Sequence, residues 1–368
     1  MSSPDERAAR LEQLQNHMEK IGVDLTAIAP TSNMRYLLDF SPLADERLCL
    51  LLVTPEDSRL VVPEVNADQV ASRTGMDVIR WSDDEGARVA LEGALDELRA
   101  HKPALLAADA AMRADALLQL QETAKPLASV SAADVMNTLR IRKTESEIDA
   151  LASAAQQADR AMMVGIGACR PGATEREVAQ QIAQYFREDG AEEVHATLVA
   201  SGPHSAFPHH EAGARGLRPG DTVVIDIVAN LAGYCSDITR MVYLDAPSPQ
   251  LLEVYEIVLE ANRRGREAAR AGARACDVDR AARSVIDEAG YSEHFVHRTG
   301  HGLGMDVHEP PWISASNEQV LMPGMVFSVE PGIYLPGRFG VRIEDVVAVT
   351  EGACRCLTGL DRDLIVKA

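Results

Sequence analysis

Apolar residues return at Leu11, Leu14, Met18 and Ile21, the spacing of a helix with one buried face, and predict a helix from Pro4 to about Ile21. Short apolar runs follow at Leu25–Ala29, Leu48–Val53 and Leu60–Val62, divided by turns containing Pro and Asp, and read as strands. Helical spacing resumes over Leu91–Leu98 and Asp115–Gln121, so the chain to about Val135 is a mixed α/β segment. A basic break at Leu139–Lys143 then precedes Thr144-Glu145-Ser146-Glu147. In such a capping box the first side chain bonds the fourth residue's N–H and the Glu bonds back, which starts a helix. The domain boundary is placed there: one domain over 1–137, a linker over 138–147 and a second domain over 148–368.

The second domain echoes itself. A helix from Ser146 to Val164 is followed by Arg170-Pro171-Gly172-Ala173 and a second capping box, Thr174 to Glu177, opening a helix to Arg187. A His-bearing stretch, Ala200–His210, leads to a strand pair around Asp226 and Asp237. The order then repeats. Ser248-Pro249 starts a helix with Pro at its first position, Arg270–Ala273 breaks it, and Asp277 caps another that ends at Gly290. His297–His308 and a strand pair around Glu330 and Glu344 complete the second round. Two helix-helix-hairpin halves predict packing about a pseudo-two-fold axis with a site between them, in an α/β (α+β) fold.

Asp226 sits inside Thr222–Val228, a run otherwise fit for a buried strand, where a lone carboxylate is costly. A hairpin centred between Leu231 and Ala232 sets it opposite Asp237, and one centred on Gly337 sets Glu330 opposite Glu344. Opposed residues share a face with Cβ atoms about 5 Å apart. Two buried pairs of like charges would drive one pKa of each pair upward unless cations lie between them, and two divalent ions balance four carboxylates. Glycines on both sides of His301 permit close backbone approach, and its neutral imidazole can complete a metal's coordination. His308, seven residues later in extended chain, is placed to face substrate rather than share that small ligand shell. Four oxygen donors among five ligands favour Mn, with Co and Zn also able to occupy such a site.

Length and charge narrow the remaining classes. At 368 residues two cores are natural, and a net charge of -20 disfavours nucleic acid and anionic membrane surfaces as partners. The six cysteines lack metal-finger spacing and read as buried free thiols, with Cys354 and Cys356 on one face of a strand. Met1 to Arg7 offers no apolar core of the signal-peptide kind, and no later run reaches membrane length, so a cytoplasmic location is expected.

At these residues the chain resembles the pita-bread metallopeptidases, which include methionine aminopeptidases, Xaa-Pro aminopeptidases and Xaa-Pro dipeptidases (prolidases). Ile225-Asp226 through Asp237-Ile238-Thr239-Arg240 looks like the two-Asp motif, Gly300-His301-Gly302 the His ligand, Val329-Glu330-Pro331-Gly332 and Val341-Arg342-Ile343-Glu344-Asp345 the two Glu motifs. Val228 stands where the family usually has Gly. The resemblance implies two divalent metals on Asp226, Asp237, His301, Glu330 and Glu344, with a bridging hydroxide as nucleophile and Glu330 as proton shuttle. It also implies that His209 and His308 are catalytic and substrate-facing, and that His297 and Arg342 bind substrate. Asn33 to Phe40 resembles the Asn-x-x-Tyr-Leu-x-x-Phe element of creatinase-like N-terminal domains, which implies the proline-specific branch and a homodimer. The expected activity is hydrolysis of proline-containing dipeptides. A Xaa-Pro aminopeptidase acting on longer peptides is the alternative, followed by a non-peptidase C–N hydrolase or binding relative. Arg338 and Arg342 are candidate anchors for a dipeptide's carboxylate, since the Arg that some dipeptidases place after His-Glu-x-Pro is Trp312 here.

Overall fold

The computed structural model describes residues 4–367, which divide after Arg140 into two units. Met1–Ser3, the head of the segment expected to lack a leader core, lie outside the described residues.

The first unit contains helices α1 (Pro4–Ile21), α2 (Ser32–Leu38), α3 (Glu64–Thr74), α4 (Arg88–Glu97), α5 (Ala114–Ala124) and α6 (Ala133–Arg140). Its strands are β1 (Leu25–Ile28), β2 (Leu50–Val53), β3 (Ser58–Pro63), β4 (Val78–Trp81), β5 (Leu105–Ala108) and β6 (Ala128–Ser131). They form one sheet in the order β4-β3-β2-β1-β5-β6, antiparallel between β1, β2 and β3 and parallel elsewhere. The Asn33–Phe40 element has a local physical purpose. Thr31 caps α2 by accepting from the Asn33 N–H at 3.2 Å, while Arg140 donates to Asn33 Oδ1 at 2.6 Å and the Tyr36 hydroxyl to the Leu139 carbonyl at 3.3 Å. The motif thus fastens the last helix of its own unit.

The second unit opens with α7 (Glu145–Ala168), α8 (Glu175–Glu188), β7 (Glu193–Ser201), β8 (Thr222–Leu231) and β9 (Tyr234–Leu244). Then come α9 (Pro249–Ala268), α10 (Ala275–Glu288), β10 (Gly300–Gly302), β11 (Glu309–Ile313), β12 (Val326–Val329) and β13 (Gly332–Leu335). β14 (Phe339–Arg342), β15 (Asp345–Ala348), β16 (Arg355–Cys356) and β17 (Ile365–Lys367) finish it. Of the positions read as linker, 138–140 close α6 and 145–147 open α7. Both Thr capping boxes form, with Thr144 N–H to Glu147 at 2.9 Å and Thr174 N–H to Glu177 at 2.7 Å. Asp277 is not the cap residue. Arg274 is, and Asp277, three residues on, accepts its N–H at 3.2 Å, because the helix starts a turn earlier than a polar-residue reading suggests.

The strands form sheets in the orders β17-β9-β8-β7 and β11-β10-β12-β15-β16, with β13-β14 as a separate ribbon. The alternation of β8 explains where the site lies. Val223, Ile225 and Ile227 pack into one core with Val178, Ile182 and Phe186 of α8, while Val224 packs into another with Val254, Val258, Ile333 and Ile343 of the second half. Asp226, on the Val224 side, therefore points toward the second half rather than under its own helices. All six cysteines are free, and Cys354 and Cys356 are half-buried rather than buried. No helix among the described residues is long and apolar enough to cross a membrane.

Candidate metal centre

The two carboxylate strand pairs differ in register. Leu231 faces Tyr234, so the first hairpin turns on Ala232-Gly233, both at positive φ (51° and 88°), the two-residue geometry that matches strand twist. This corrects the expected centre by one residue. Asp226 faces Thr239, and Asp237 faces Val228, leaving the two Asp residues as diagonal neighbours on one face. The error has a physical source: Ala pays a steric cost at positive φ, so nothing in the sequence marks Ala232 as a turn centre.

In the second pair Val329 faces Asp345 and Gly332 faces Arg342, a register centred on Gly337 on both flanks. Between those flanks the ladder lapses. Glu330 N–H turns instead to the Thr299 carbonyl at 2.8 Å and Glu344 N–H to the Thr239 carbonyl at 3.3 Å, so backbone bonds from the second hairpin reach β9. His301 arrives on β10, squeezed between β11 and β12. A Cβ at Gly300 would stand 1.8 Å from the Ser328 carbonyl oxygen, and one at Gly302 would stand 2.2 Å from that of Pro310. Only glycine lets this strand lie so close to its neighbours.

Asp237, His301 and Glu344 are buried and bring ligand atoms within 4.8 Å of one another. Nε2 of His301 lies 3.7 Å from Asp237 Oδ2 and 3.4 Å from Glu330 Oε1. Its Nδ1 faces the Gly302 carbonyl at 3.1 Å, which can only accept, so Nδ1 carries the proton and the Nε2 lone pair faces the acids. Burial, then the charge of His308, hold His301 down at about 3. Burial, joined by mutual repulsion, pushes Asp237 and Glu344 well above the usual carboxylate range, and burial lifts Glu330 to about 7. Arg342 Nη2 meets Asp226 Oδ2 at 2.5 Å.

Four N–H groups of Arg342 are already committed. They go to Asp226, to Thr239 at 3.2 Å, to the Tyr334 hydroxyl at 2.8 Å and to the Pro208 carbonyl at 3.2 Å. Tyr334 links Arg342 to His297. Nδ1 of His297 lies 2.8 Å from the Arg298 carbonyl and so holds the proton, leaving Nε2 to accept from the Tyr334 hydroxyl at 2.9 Å. The chain between 303 and 308 bends instead of extending, which corrects the expected separation: the His308 ring stands edge-on to His301 with centroids 4.2 Å apart. His209 is exposed on the opposite loop and lines the same cleft of about 1680 Å³, together with Asp226, Asp237, His297, His301 and His308.

Three residues that hold this arrangement escaped the sequence reading. Tyr334 looks like an ordinary strand residue. Glu175, inside the second capping box, is fully buried and accepts from Ser201 N–H and Oγ, Gly213 N–H and, at 2.9 Å each, His204 and His210. It thereby anchors the loop carrying His209. Asp345 meets Arg240 at 2.8 Å behind the acids, and its position directly after Glu344 in a buried strand was the available signal.

Solved structures with this architecture include the dipeptidase PepE of Mycobacterium ulcerans, with a TM-score of 0.92, 37% identity and 99% coverage of both chains. The X-Pro aminopeptidase of Thermotoga maritima gives a TM-score of 0.82 at 32% identity, covering 96% of this chain and all of the other. Among curated proteins, the Xaa-Pro dipeptidase of Pyrococcus horikoshii is 36% identical over 97% of this chain and 98% of its own length. Fold and acid cluster together define a metallo-exopeptidase. Residues 132–351 match metallopeptidase family M24 and residues 10–142 the creatinase/prolidase N-terminal domain, and the chain belongs to metallopeptidase family M24.

Proposed function

We propose that this enzyme hydrolyses Xaa-Pro bonds, acting as a Xaa-Pro dipeptidase with two divalent ions, Mn in the first instance. The observation that carries the metal part is the acid cluster itself: Asp237, Glu330 and Glu344 crowd one buried space beside the lone pair of His301. Such a donor set fits divalent cations, which relieve the repulsion that otherwise keeps protons on the acids. Asp226, Asp237, His301, Glu330 and Glu344 would hold the ions. Bound there, the ions supply Lewis-acid polarisation of a carbonyl and an acidified water.

The chain's own residues then divide the remaining work. Glu330, more exposed than Asp237 or Glu344, carries a proton from the attacking water to the leaving proline nitrogen. His308 and His209 face the cleft and donate hydrogen bonds to the developing oxyanion. The chain Arg342–Tyr334–His297 fixes the side wall and keeps Asp226 oriented.

The relatives named above support the proline preference, and the dipeptidases among them support the choice of dipeptide. A second reading, an aminopeptidase for longer peptides, is favoured by the cleft's volume of about 1680 Å³, larger than the roughly 300–1,000 Å³ of ordinary small-molecule sites. Hydrolysis of Ala-Pro and Ala-Pro-Ala by the Mn-loaded protein separates the two. Preference for Ala-Pro, lost on chelation, is expected; preference for the tripeptide discards the dipeptidase choice, and activity indifferent to chelator discards the metal centre.

A further inference from the structure

The cleft is lined by Arg176, Arg187, Arg298 and Arg342. Arg342 is spent on Asp226, Thr239, Tyr334 and Pro208, and Arg338, the other anchor suggested by the sequence, bonds Gln250 and does not line the cleft. Arg176 and Arg187 stand on the α8 wall. Arg298 is different. It follows His297 directly, precedes His301 by three residues, and is half-buried. Its guanidinium carbon lies 4.5 Å from the centroid of the Trp312 ring.

That stacking has a chemical consequence. A cation–π contact engages the guanidinium's face and leaves the N–H groups along its edge available. Among the described residues none of those N–H groups meets a carboxylate or carbonyl, although the chain carries a net charge of -20. A planar fork held in orientation and left with free donors is matched to a carboxylate, which accepts two parallel N–H bonds. The guanidinium also lies close enough to the metal-side histidines to be felt there. After the dominant effect of burial, its charge helps to keep both His301 and His308 neutral.

We propose that Arg298, braced by Trp312, is the carboxylate anchor of the substrate site: it binds the free C-terminus of a Xaa-Pro dipeptide and so sets the length of peptide that the cleft accepts. The assignment rests on the dipeptidase reading above. A peptide continuing past proline has an amide in place of that carboxylate, so it forgoes the ion pair and the two parallel N–H bonds that a carboxylate makes with Arg298. Trp312 contributes by holding, from the far side of His301 in the chain, the cation that Arg298 supplies.

Steady-state kinetics of the Mn-loaded enzyme on Ala-Pro and on its C-terminal amide, Ala-Pro-NH2, test this, with metal content measured for each variant. The wild type is expected to favour the free acid. Arg298→Ala should raise KM for Ala-Pro by about tenfold or more, leave kcat within about threefold, and alter KM for the amide much less than KM for the acid. Arg298→Lys should restore part of the preference, because it keeps charge without the fork, and Trp312→Ala should fall between. Equal loss on both substrates, or no loss on either, overturns the anchor while leaving the dipeptidase reading intact. If the wild type cleaves neither peptide, that reading falls and takes the anchor with it.

Discussion

Arg240 meets Asp345 at 2.8 Å in a place where neither side chain is more than 1% exposed. All five N–H groups of Arg240 are used, on Asp345 and on the carbonyls of Thr239, Glu344, Leu360 and Asp361. Asp345 is shared in turn with Arg362 at 2.6 Å and Thr358 at 2.8 Å. The pair therefore ties β9, which carries Asp237, to the strand that follows Glu344.

Arg240→Ala should destabilise the protein by about 3–5 kcal/mol, because it removes five buried bonds at once and takes from Asp345 its most buried cationic partner, leaving Arg362 and Thr358 to hold it. Denaturant unfolding at neutral pH measures this. A loss under about 1 kcal/mol would show that Asp345 finds other partners.

Asp237→Asn should have opposite effects on activity and stability. Activity should disappear with a ligand, while the metal-free protein should become more stable, since one of several mutually repelling buried acids is replaced by a neutral amide. Thermal unfolding in chelator against the wild type reads the second effect. A lower midpoint would mean that Asp237 is better satisfied without metal than its surroundings imply.

Protons and metal should compete. Glu330 rests at about 7 and the neighbouring acids lie above their usual range, so these acids take up protons on folding of the metal-free chain. Their contribution to the stability of the apo-protein is present below about 4.5 and is lost as pH rises through 7, while His301, held at about 3, works in the opposite sense and costs stability as pH falls below the usual imidazole range. Metal binding should correspondingly release protons and tighten across the same interval. Calorimetry in buffers of different ionisation enthalpy counts the protons, and zero release refutes the competition.

Glu175 predicts an acid limb of opposite sign. Burial alone would raise it, but hydrogen bonds from Ser201, His210 and the Gly213 N–H outweigh that and hold it at about 2. Its contribution is present above about 4.5 and is lost as pH falls toward 2. Glu175→Gln should flatten this limb and reduce turnover by displacing the His209 loop, while metal content is retained. Metal loss in that variant would place the loop's influence elsewhere.

The sequence made the second carboxylate pair legible and misplaced the first for one reason: turn chemistry. Gly337, at φ 74°, marks its own turn, and counting outward from it recovers the register on both flanks. Ala232 occupies an equally left-handed conformation without any residue preference to reveal it. The crowding around Gly300 and Gly302 was anticipated from their spacing about His301, since glycine in a strand implies close approach. Tyr334 and Glu175 were hidden because their importance depends on partners such as Arg342 and His210, brought in from distant segments. Arg298 was hidden likewise. No local pattern tells which of four cleft arginines stands beside His301 with its face braced on a ring.

The lapse in the strand ladder at Glu330 and Glu344 also bears on when the site comes into being. Glu344 is placed by Thr239, 105 residues away, and Asp226 is held by Arg342 across 116 residues. Contacts of such long range form late, after most chain entropy has been lost. A chain emerging during synthesis thus has no assembled acid cluster until the strands flanking Glu330 and Glu344 dock, the last large step of its folding.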